Sequence, residues 1–148
     1  MEKHESDYNM LDWWKKVVLK NYANFSGRAR RAEYWYFALC NFLIIIPFYI
    51  MGIAGAASES TGLSILGLSV YGLVALATLV PGLAVTVRRL HDLNKSGWYY
   101  FIGLIPLVGP IILLVWLFTD GDRFSNNYGD DPKNFDATPE FDFETKTH

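Results

Sequence analysis

Three long stretches of the chain contain no charged side chain. Residues 34–58, 60–87 and 96–119 hold no Asp, Glu, Lys or Arg, although charged residues make up 19% of the chain. A helix of about 20 mostly apolar residues crosses the hydrocarbon core of a bilayer, whereas soluble helices of this length usually keep one polar stripe. The pattern therefore predicts an all-α integral membrane protein. Its three transmembrane helices are expected at about residues 34–56, 62–87 and 97–118.

The rest of the chain divides into three parts. Residues 1–9 are polar, and over residues 10–24 the apolar side chains fall on one arc of a helical wheel with the lysines opposite. This pattern predicts an amphipathic helix. Trp and Lys on such a helix favour a position in the membrane interface, and the alternative is a soluble helix docked on the rest of the protein. Residues 25–119 form the transmembrane domain, and residues 120–148 are predicted to be an acidic, disordered tail.

Basic residues near the ends of the apolar stretches predict the orientation. Residues 1–33 carry seven Lys or Arg and residues 88–95 carry three, whereas the tail from residue 120 carries eight acidic and three basic residues. The positive-inside rule places the N-terminus in the cytoplasm, and three spans then place the tail outside. Pro106 and Pro110 leave open a bent or partly re-entrant third stretch. A fourth span, made by splitting the second or third stretch, would return the tail to the cytoplasm.

Two basic segments, residues 25–35 (FSGRARRAEYW) and 88–98 (RRLHDLNKSGW), meet at the same membrane face in this topology. Lysine would satisfy the topology equally well, whereas the planar guanidinium of arginine binds phosphate oxygens in a bidentate way. The main interpretation of these cations is a topological role, and a lipid-headgroup or phosphate site is the functional hypothesis. The candidate residues are Arg28, Arg30, Arg31, Arg88, Arg89 and Lys95.

Three further residues lie within the basic segments. Glu33, His91 and Asp92 are expected to form ion pairs with the arginines. The alternative is catalytic, with His91 as a general base oriented by a carboxylate, but no nucleophile is identifiable beside it. His4 and His148 lie at the chain ends, so we expect no metal site. We also predict no cofactor and no nucleic-acid partner.

Polar and small residues inside the apolar stretches suggest how the helices pack. Thr78, Gly82 and Thr86 lie four residues apart on one helix face, and such small residues let membrane helices approach closely. Packing within the monomer and a homo-oligomer interface both remain open. Asn41 is expected to make an interhelical hydrogen bond. Because the stretches hold no charged residue and no histidine, an ion-coupled transporter is disfavoured.

Three motifs resemble those of a known family. FSGRARRAEYWYF at residues 25–37, RRLHD followed by SGW within residues 88–98, and NNYGDDP at residues 126–132 are similar to the bacterial inner-membrane family catalogued as domain of unknown function 805. The resemblance covers about residues 13–132. Within NNYGDDP, the second Asn and the first Asp stand where a basic residue and a proline are more usual. The resemblance implies a small bacterial plasma-membrane protein and implies no activity.

These observations predict a small, non-catalytic protein of the bacterial inner membrane. Its cytoplasmic-face arginines would engage anionic membrane lipids or a membrane protein partner. Two alternatives belong to other classes. A small oligomeric transporter or channel would use the stripe of Thr78, Gly82 and Thr86 for assembly, and a membrane enzyme acting on a phosphorylated lipid would use His91 and Asp92.

Overall fold

The N-terminal part of the protein is a short helical segment. The computed structural model describes residues 5–133. A 3-10 turn over Glu5–Asp7 precedes α1 (Met10–Lys15), which continues as a π-helix over Lys16–Lys20. The helical segment therefore ends at Lys20. The sequence had predicted an end at residue 24.

Two long helices form the frame of the protein. α2 (Arg31–Ala57) and α3 (Thr61–His91) contain 27 and 31 residues and are joined by a tight turn, in which Glu59 has a φ of +56°. At about 1.5 Å per residue, each exceeds the roughly 30 Å of a hydrocarbon core. Only 17% and 6% of their most apolar windows are buried in the protein. A soluble protein would bury such helices, so both have the properties of spanning helices.

The backbones of α2 and α3 approach each other closely at glycines, including Gly52, Gly55 and Gly67. A β-carbon at Gly67 of α3 would overlap the backbone of Gly52 in α2. This contact lies near the turn between the helices. At Gly82, in the stripe predicted for helix packing, the nearest atom to a β-carbon would be Phe37 Cε1 at 3.6 Å, an ordinary van der Waals contact. Glycine is therefore required for the approach at Gly52 and Gly67, and not at Gly82.

The third apolar stretch does not form one helix. It consists of a 3-10 helix (Gly97–Leu104), a turn, and α4 (Val108–Phe118), which has 11 residues. In the turn, Pro106 has no N–H for a helical hydrogen bond, and Leu107 has a φ of +67°. Eleven α-helical residues extend about 17 Å, roughly half of a bilayer core. Residues 97–118 are therefore not one helix; the sequence had left open a bent or partly re-entrant stretch here.

The two halves of the third stretch pack against each other as a hairpin. The rings of Tyr99 and Trp116, one from each half, meet edge to face with their centroids 5.6 Å apart. A β-carbon at Gly109 would overlap the carbonyl of Ile102, so glycine is needed for this close approach. We call the segment from Gly97 to Phe118 the hairpin.

Both ends of the hairpin lie at the same end of the long helices. Arg31 at the start of α2 donates a hydrogen bond from Nη1 to the carbonyl of Phe118 (3.1 Å), and the N–H of Asp122 donates to the carbonyl of Asp92 (2.9 Å). We call this end, where Arg31 and His91 lie, the basic end. The chain after the hairpin is therefore beside the two basic segments. In the three-span prediction the tail and these segments lie on opposite sides of the membrane, whereas here they are in contact.

The tail segment, residues 120–133, is folded against the basic end. Its one regular feature is an isolated bridge between Asn126 and Gly129, and no strand occurs among residues 5–133. The sequence predicts a disordered tail over residues 120–148; in the structure, Arg28 and Arg30 donate to carbonyls within residues 122–132. Residues 1–4 and 134–148 lie outside the described residues.

α1 and the π-helix have one packed face and one exposed face. Trp13 and Val17 are buried, whereas Leu19 is exposed. Trp14 of α1 donates a hydrogen bond from Nε1 to Asn41 Oδ1 of α2 (3.1 Å). The interhelical partner of Asn41 is thus the N-terminal helix rather than α3.

Candidate functional site

The first basic segment begins as extended chain rather than as helix. Gly27 has a φ of +81°, in the left-handed region that favours glycine, and α2 begins only at Arg31. The N–H of Ala29 donates to the carbonyl of Arg88 at the end of α3 (3.0 Å). Because Arg28 precedes the helix and lies beside this contact, its side chain extends into the protein across the end of α3.

Arg28 joins both basic segments to the tail. Its Nε donates to Asp92 Oδ1 (2.9 Å), and its Nη1 donates to the carbonyls of Phe124 (2.7 Å) and Gly129 (3.2 Å). Nη2 donates to the carbonyl of Asp122. The side chain is 1% exposed. One guanidinium therefore holds a carboxylate and three backbone carbonyls that are distant in sequence.

Arg89 binds the C-terminal end of α4. Its guanidinium pairs with Asp92 and donates to the carbonyls of Leu117 (3.4 Å, from Nε) and Thr119. The last carbonyls of a helix have no partner within that helix, and arginine is a favourable residue to bind them. Burial raises the pKa of Asp92, while the hydrogen bond from Arg28 and the charge of Arg89 oppose that rise. Asp92 therefore lies between two guanidinium groups, both of which also bind carbonyls within residues 117–129.

A second group of charges connects the N-terminal helical segment to the long helices. Arg88 Nη1 lies 2.5 Å from Glu33 Oε1, and Lys16 Nζ lies 2.9 Å from Glu33 Oε2. Lys16 also pairs with Glu5 (2.7 Å), whose other oxygen lies 3.4 Å from Arg30 Nε. The charges alternate in sign along this chain of contacts. We call the five buried members of both groups the buried ion-pair cluster: Arg28, Glu33, Arg88, Arg89 and Asp92.

Arg88 is the least well-bonded member of the buried ion-pair cluster. Its Nε and Nη2 are buried and have no hydrogen-bond acceptor among the described residues. A buried donor without a partner costs about 1–3 kcal/mol. Glu33 is therefore important for Arg88, because it supplies the carboxylate that compensates the buried charge.

Two of the predicted headgroup residues lie nearer the surface. The side chain of Arg31 is 45% exposed; besides the Phe118 carbonyl it contacts Asp120, with Nη2 3.0 Å from Oδ1. Lys95 places its ammonium 4.6 Å from the centroid of the Trp116 ring. Both cations adjoin the hairpin; Arg31 is exposed and Lys95 is half-buried.

His91 and Asp92 do not form a catalytic pair. His91 Nδ1 lies 3.1 Å from the carbonyl of Gly27, and the ring of Tyr128 stacks on the imidazole with the centroids 3.8 Å apart. The Asp92 carboxylate is instead bonded to guanidinium groups. A general base needs a free nitrogen directed at a substrate proton, and this imidazole is covered by the tail. No group of three potential metal ligands occurs among the described residues.

Residues of the tail complete the site, although the sequence had suggested no role for them. Asn126 Nδ2 donates to the carbonyl of His91 (2.9 Å), next to the stacked Tyr128. A β-carbon at Gly121 would overlap the Asp92 carboxylate, so glycine lets the chain pass over the ion pair. Asn126 and Tyr128 belong to the NNYGDDP motif, which was the available signal. Lys16 had no comparable signal in the sequence.

A cavity of about 360 Å³ lies between α2, α3 and the hairpin. The predicted stripe of Thr78, Gly82 and Thr86 forms part of its wall, together with Phe37 and Asn41 of α2. Among the described residues no charged side chain and no histidine lines it. The stripe therefore borders an uncharged cavity within the apolar part of the protein.

The two long apolar helices, the outward-facing hydrophobic surfaces and the ionic cluster at one end define a small helical membrane protein. The chain belongs to the family described as "Protein of unknown function (DUF805)", whose model matches residues 22–130. It is 43% identical over 120 residues to inner membrane protein YhaI of Escherichia coli K12, covering 81% of this chain and 95% of that protein. It is 38% identical over 123 residues to inner membrane protein YhaH of the same strain, covering 83% and 98%.

These relatives and the apolar helices assign the chain to the inner membrane. The family predicted from the three sequence motifs is thereby confirmed. No solved structure matches the chain.

Proposed function

We propose that this protein is a non-catalytic inner-membrane protein that engages anionic lipid headgroups through the exposed cations of its basic end. The observation that supports this function is that some cations of the basic end are buried in internal contacts, whereas others are exposed. Arg28, Arg88 and Arg89 are buried in internal contacts, and we assign them a structural role. Lys15 and Arg31 are exposed. A cation at headgroup level attracts an anionic leaflet by about 1 kcal/mol, so these two residues are the stronger headgroup candidates.

Aromatic and apolar side chains support a position of the basic end at the membrane surface. Trp98, at the start of the hairpin, is 78% exposed, and Leu11 and Leu19 are exposed beside the lysines of the N-terminal helical segment. Trp is enriched at the membrane–water interface, and apolar residues beside lysines are typical of helices that lie in it. Both features support a position of the exposed cations near the headgroups.

The proposed topology has two spans and a re-entrant hairpin. Its support is that the hairpin returns to the basic end, where the Phe118 carbonyl meets Arg31. Irregular backbone at membrane depth needs contacts with protein. The hairpin packs on α3 and on itself, whereas its turn faces outward, with Leu107 84% exposed. The positive-inside rule then places the basic end, and with it the tail segment, in the cytoplasm.

Cysteine labelling in intact spheroplasts tests this topology. The native Cys40, buried in α2, is replaced by alanine, and single cysteines are introduced as Ser60→Cys in the turn and Ser125→Cys in the tail. We expect a membrane-impermeant maleimide to label Ser60→Cys directly, and Ser125→Cys only after permeabilisation. Labelling of Ser125→Cys in intact spheroplasts would show that the tail is outside, and the proposed topology would be wrong.

Native mass spectrometry of the purified protein tests headgroup recognition. The protein is equilibrated with equal amounts of phosphatidylglycerol and phosphatidylethanolamine, and the ratio of retained lipids is measured. We expect enrichment of phosphatidylglycerol that falls toward parity in the double variant Arg31→Gln/Lys15→Gln. The matched control, Arg31→Lys/Lys15→Arg, keeps both charges and should keep the enrichment. If the ratio of phosphatidylglycerol to phosphatidylethanolamine is the same in all three proteins, the lipid proposal is wrong and a protein partner is favoured.

The other function classes have less support. A lipid-modifying enzyme would need an accessible base, and His91 is covered by Tyr128. An ion-coupled transporter would need ionisable groups along its path, and the residues that line the cavity between α2 and α3 are uncharged.

A further inference from the structure

We infer that the cavity between α2, α3 and the hairpin binds an acyl chain of a membrane phospholipid. The volume of about 360 Å³ falls in the range of small-molecule sites, about 300–1,000 Å³. This inference goes beyond headgroup contact, since an acyl chain would occupy the cavity whatever headgroup it carried.

Water is a poor occupant of this cavity. Its volume equals that of about 12 molecules of liquid water, and each buried water needs 2–4 polar partners. The hydroxyls of Thr78 and Thr86 donate to carbonyls four residues earlier in α3, at 2.8 and 2.7 Å. Asn41 accepts from Trp14. The wall also carries the hydroxyls of Tyr34 and Tyr100 and the Nδ2 of Asn41, but most of its side chains are aliphatic or aromatic, so an apolar occupant is favoured.

The protein's own side chains leave this space unfilled because the α3 wall is made of small residues. Ala75, Thr78 and Gly82 line the cavity, and a β-carbon at Gly82 would still be 3.6 Å from its nearest neighbour, Phe37. The backbones of α2 and α3 touch at Gly52 and Gly67, near the turn. Nearer the basic end, the hairpin supplies a third wall.

The position of the cavity favours a phospholipid over a ligand without a charged head. Leu79 lines the cavity and is also 57% exposed, so the cavity reaches the lipid-facing surface. Leu117 lines it on the hairpin side. The next residue, Phe118, presents its carbonyl to the exposed Arg31. An acyl chain in the cavity therefore has a cation close to the end at which its phosphate would lie.

Lipid retention by cavity-filling variants tests the inference. Gly82→Leu and Ala75→Leu place added methyl groups in the cavity. Gly72→Leu is the matched control on α3, because no atom lies within 4 Å of a β-carbon there. Native mass spectrometry in mild detergent should show about one phospholipid per wild-type chain. We expect a several-fold loss in both filled variants and wild-type retention in the control, with folding verified by circular dichroism.

The inference is overturned if a folded filled variant retains wild-type lipid. It is also overturned if the wild-type protein carries no phospholipid, a result that needs no variant. Its failure is distinguishable from failure of the headgroup proposal. Filling the cavity should lower retention of phosphatidylglycerol and phosphatidylethanolamine by the same factor, whereas the double variant Arg31→Gln/Lys15→Gln should change the ratio of the two lipids.

Discussion

Replacing Arg28 by lysine separates a structural role of arginine from a purely electrostatic one. The guanidinium of Arg28 binds Asp92 and the carbonyls of Asp122, Phe124 and Gly129. Lysine keeps the charge but presents one ammonium instead of a planar fork of donors. We expect Arg28→Lys to keep the contact with Asp92 and to lose the three carbonyl contacts.

The expected magnitude follows from these bonds. Each hydrogen bond contributes about 1 kcal/mol net, so the loss of three lowers the free energy of unfolding by about 3 kcal/mol. The control is Arg31→Lys, at a side chain that is 45% exposed and pairs with an exposed carboxylate. Exposed pairs contribute about 0–1 kcal/mol, so this variant should unfold within about 1 kcal/mol of wild type.

The assay is equilibrium unfolding in mild detergent, followed by circular dichroism and tryptophan fluorescence. Protease cleavage in the tail segment gives a second measurement, because loss of the Arg28 contacts should release residues 122–129 first. The reasoning is refuted if Arg28→Lys is as stable as wild type. It is also refuted if Arg31→Lys is the less stable of the two variants.

Three further substitutions probe other contacts of the same fold. Glu33→Gln should lower the free energy of unfolding by about 3–5 kcal/mol, because it leaves a buried guanidinium without its carboxylate; stability equal to wild type would contradict this. Gly67→Ala should destabilise the protein, because its β-carbon would overlap the α2 backbone. The control Gly72→Ala should be neutral or more stable by up to about 1 kcal/mol. A lower melting temperature for Gly72→Ala than for Gly67→Ala would contradict this prediction. Tyr128→Ala should cost about 0.5–1.5 kcal/mol of ring stacking and speed tryptic cleavage in the tail; unchanged cleavage would argue against the stacked contact.

The long helices were predictable from the sequence, whereas for the third stretch the sequence left a span and a bent or re-entrant segment both open. Arginine-bounded stretches without charge predicted Arg31–Ala57 and Thr61–His91 closely, because length and composition together indicate a span. Residues 96–119 are equally apolar, and hydropathy does not distinguish a hairpin from a span. Pro106 was the local signal for a break. The direction of the returning chain depends on a tertiary contact at Gly109, which hydropathy does not encode.

Because the third stretch was expected to cross the membrane, the sequence predicted the cations of the site but not all of their partners. The sequence placed Arg28, Arg89 and Asp92 together at one membrane face, and the structure does bring them together. Their partners were not predictable, because the carbonyls that the arginines bind belong to a tail expected on the other side. Glu5 and Lys16 were also missed, since an acid before an amphipathic helix and a lysine on its polar face are ordinary features.

The returning chain gives arginine an internal function at two positions. α4 ends at the basic end with carbonyls that have no helical partner, and the tail segment that follows is irregular, so its carbonyls also need donors. Arg28 and Arg89 supply several donors each from one buried side chain, which lysine could not match in that geometry. An abundance of arginine in the basic segments is therefore not by itself evidence for phosphate binding. The proposal of lipid recognition depends instead on Lys15 and Arg31, whose side chains are exposed.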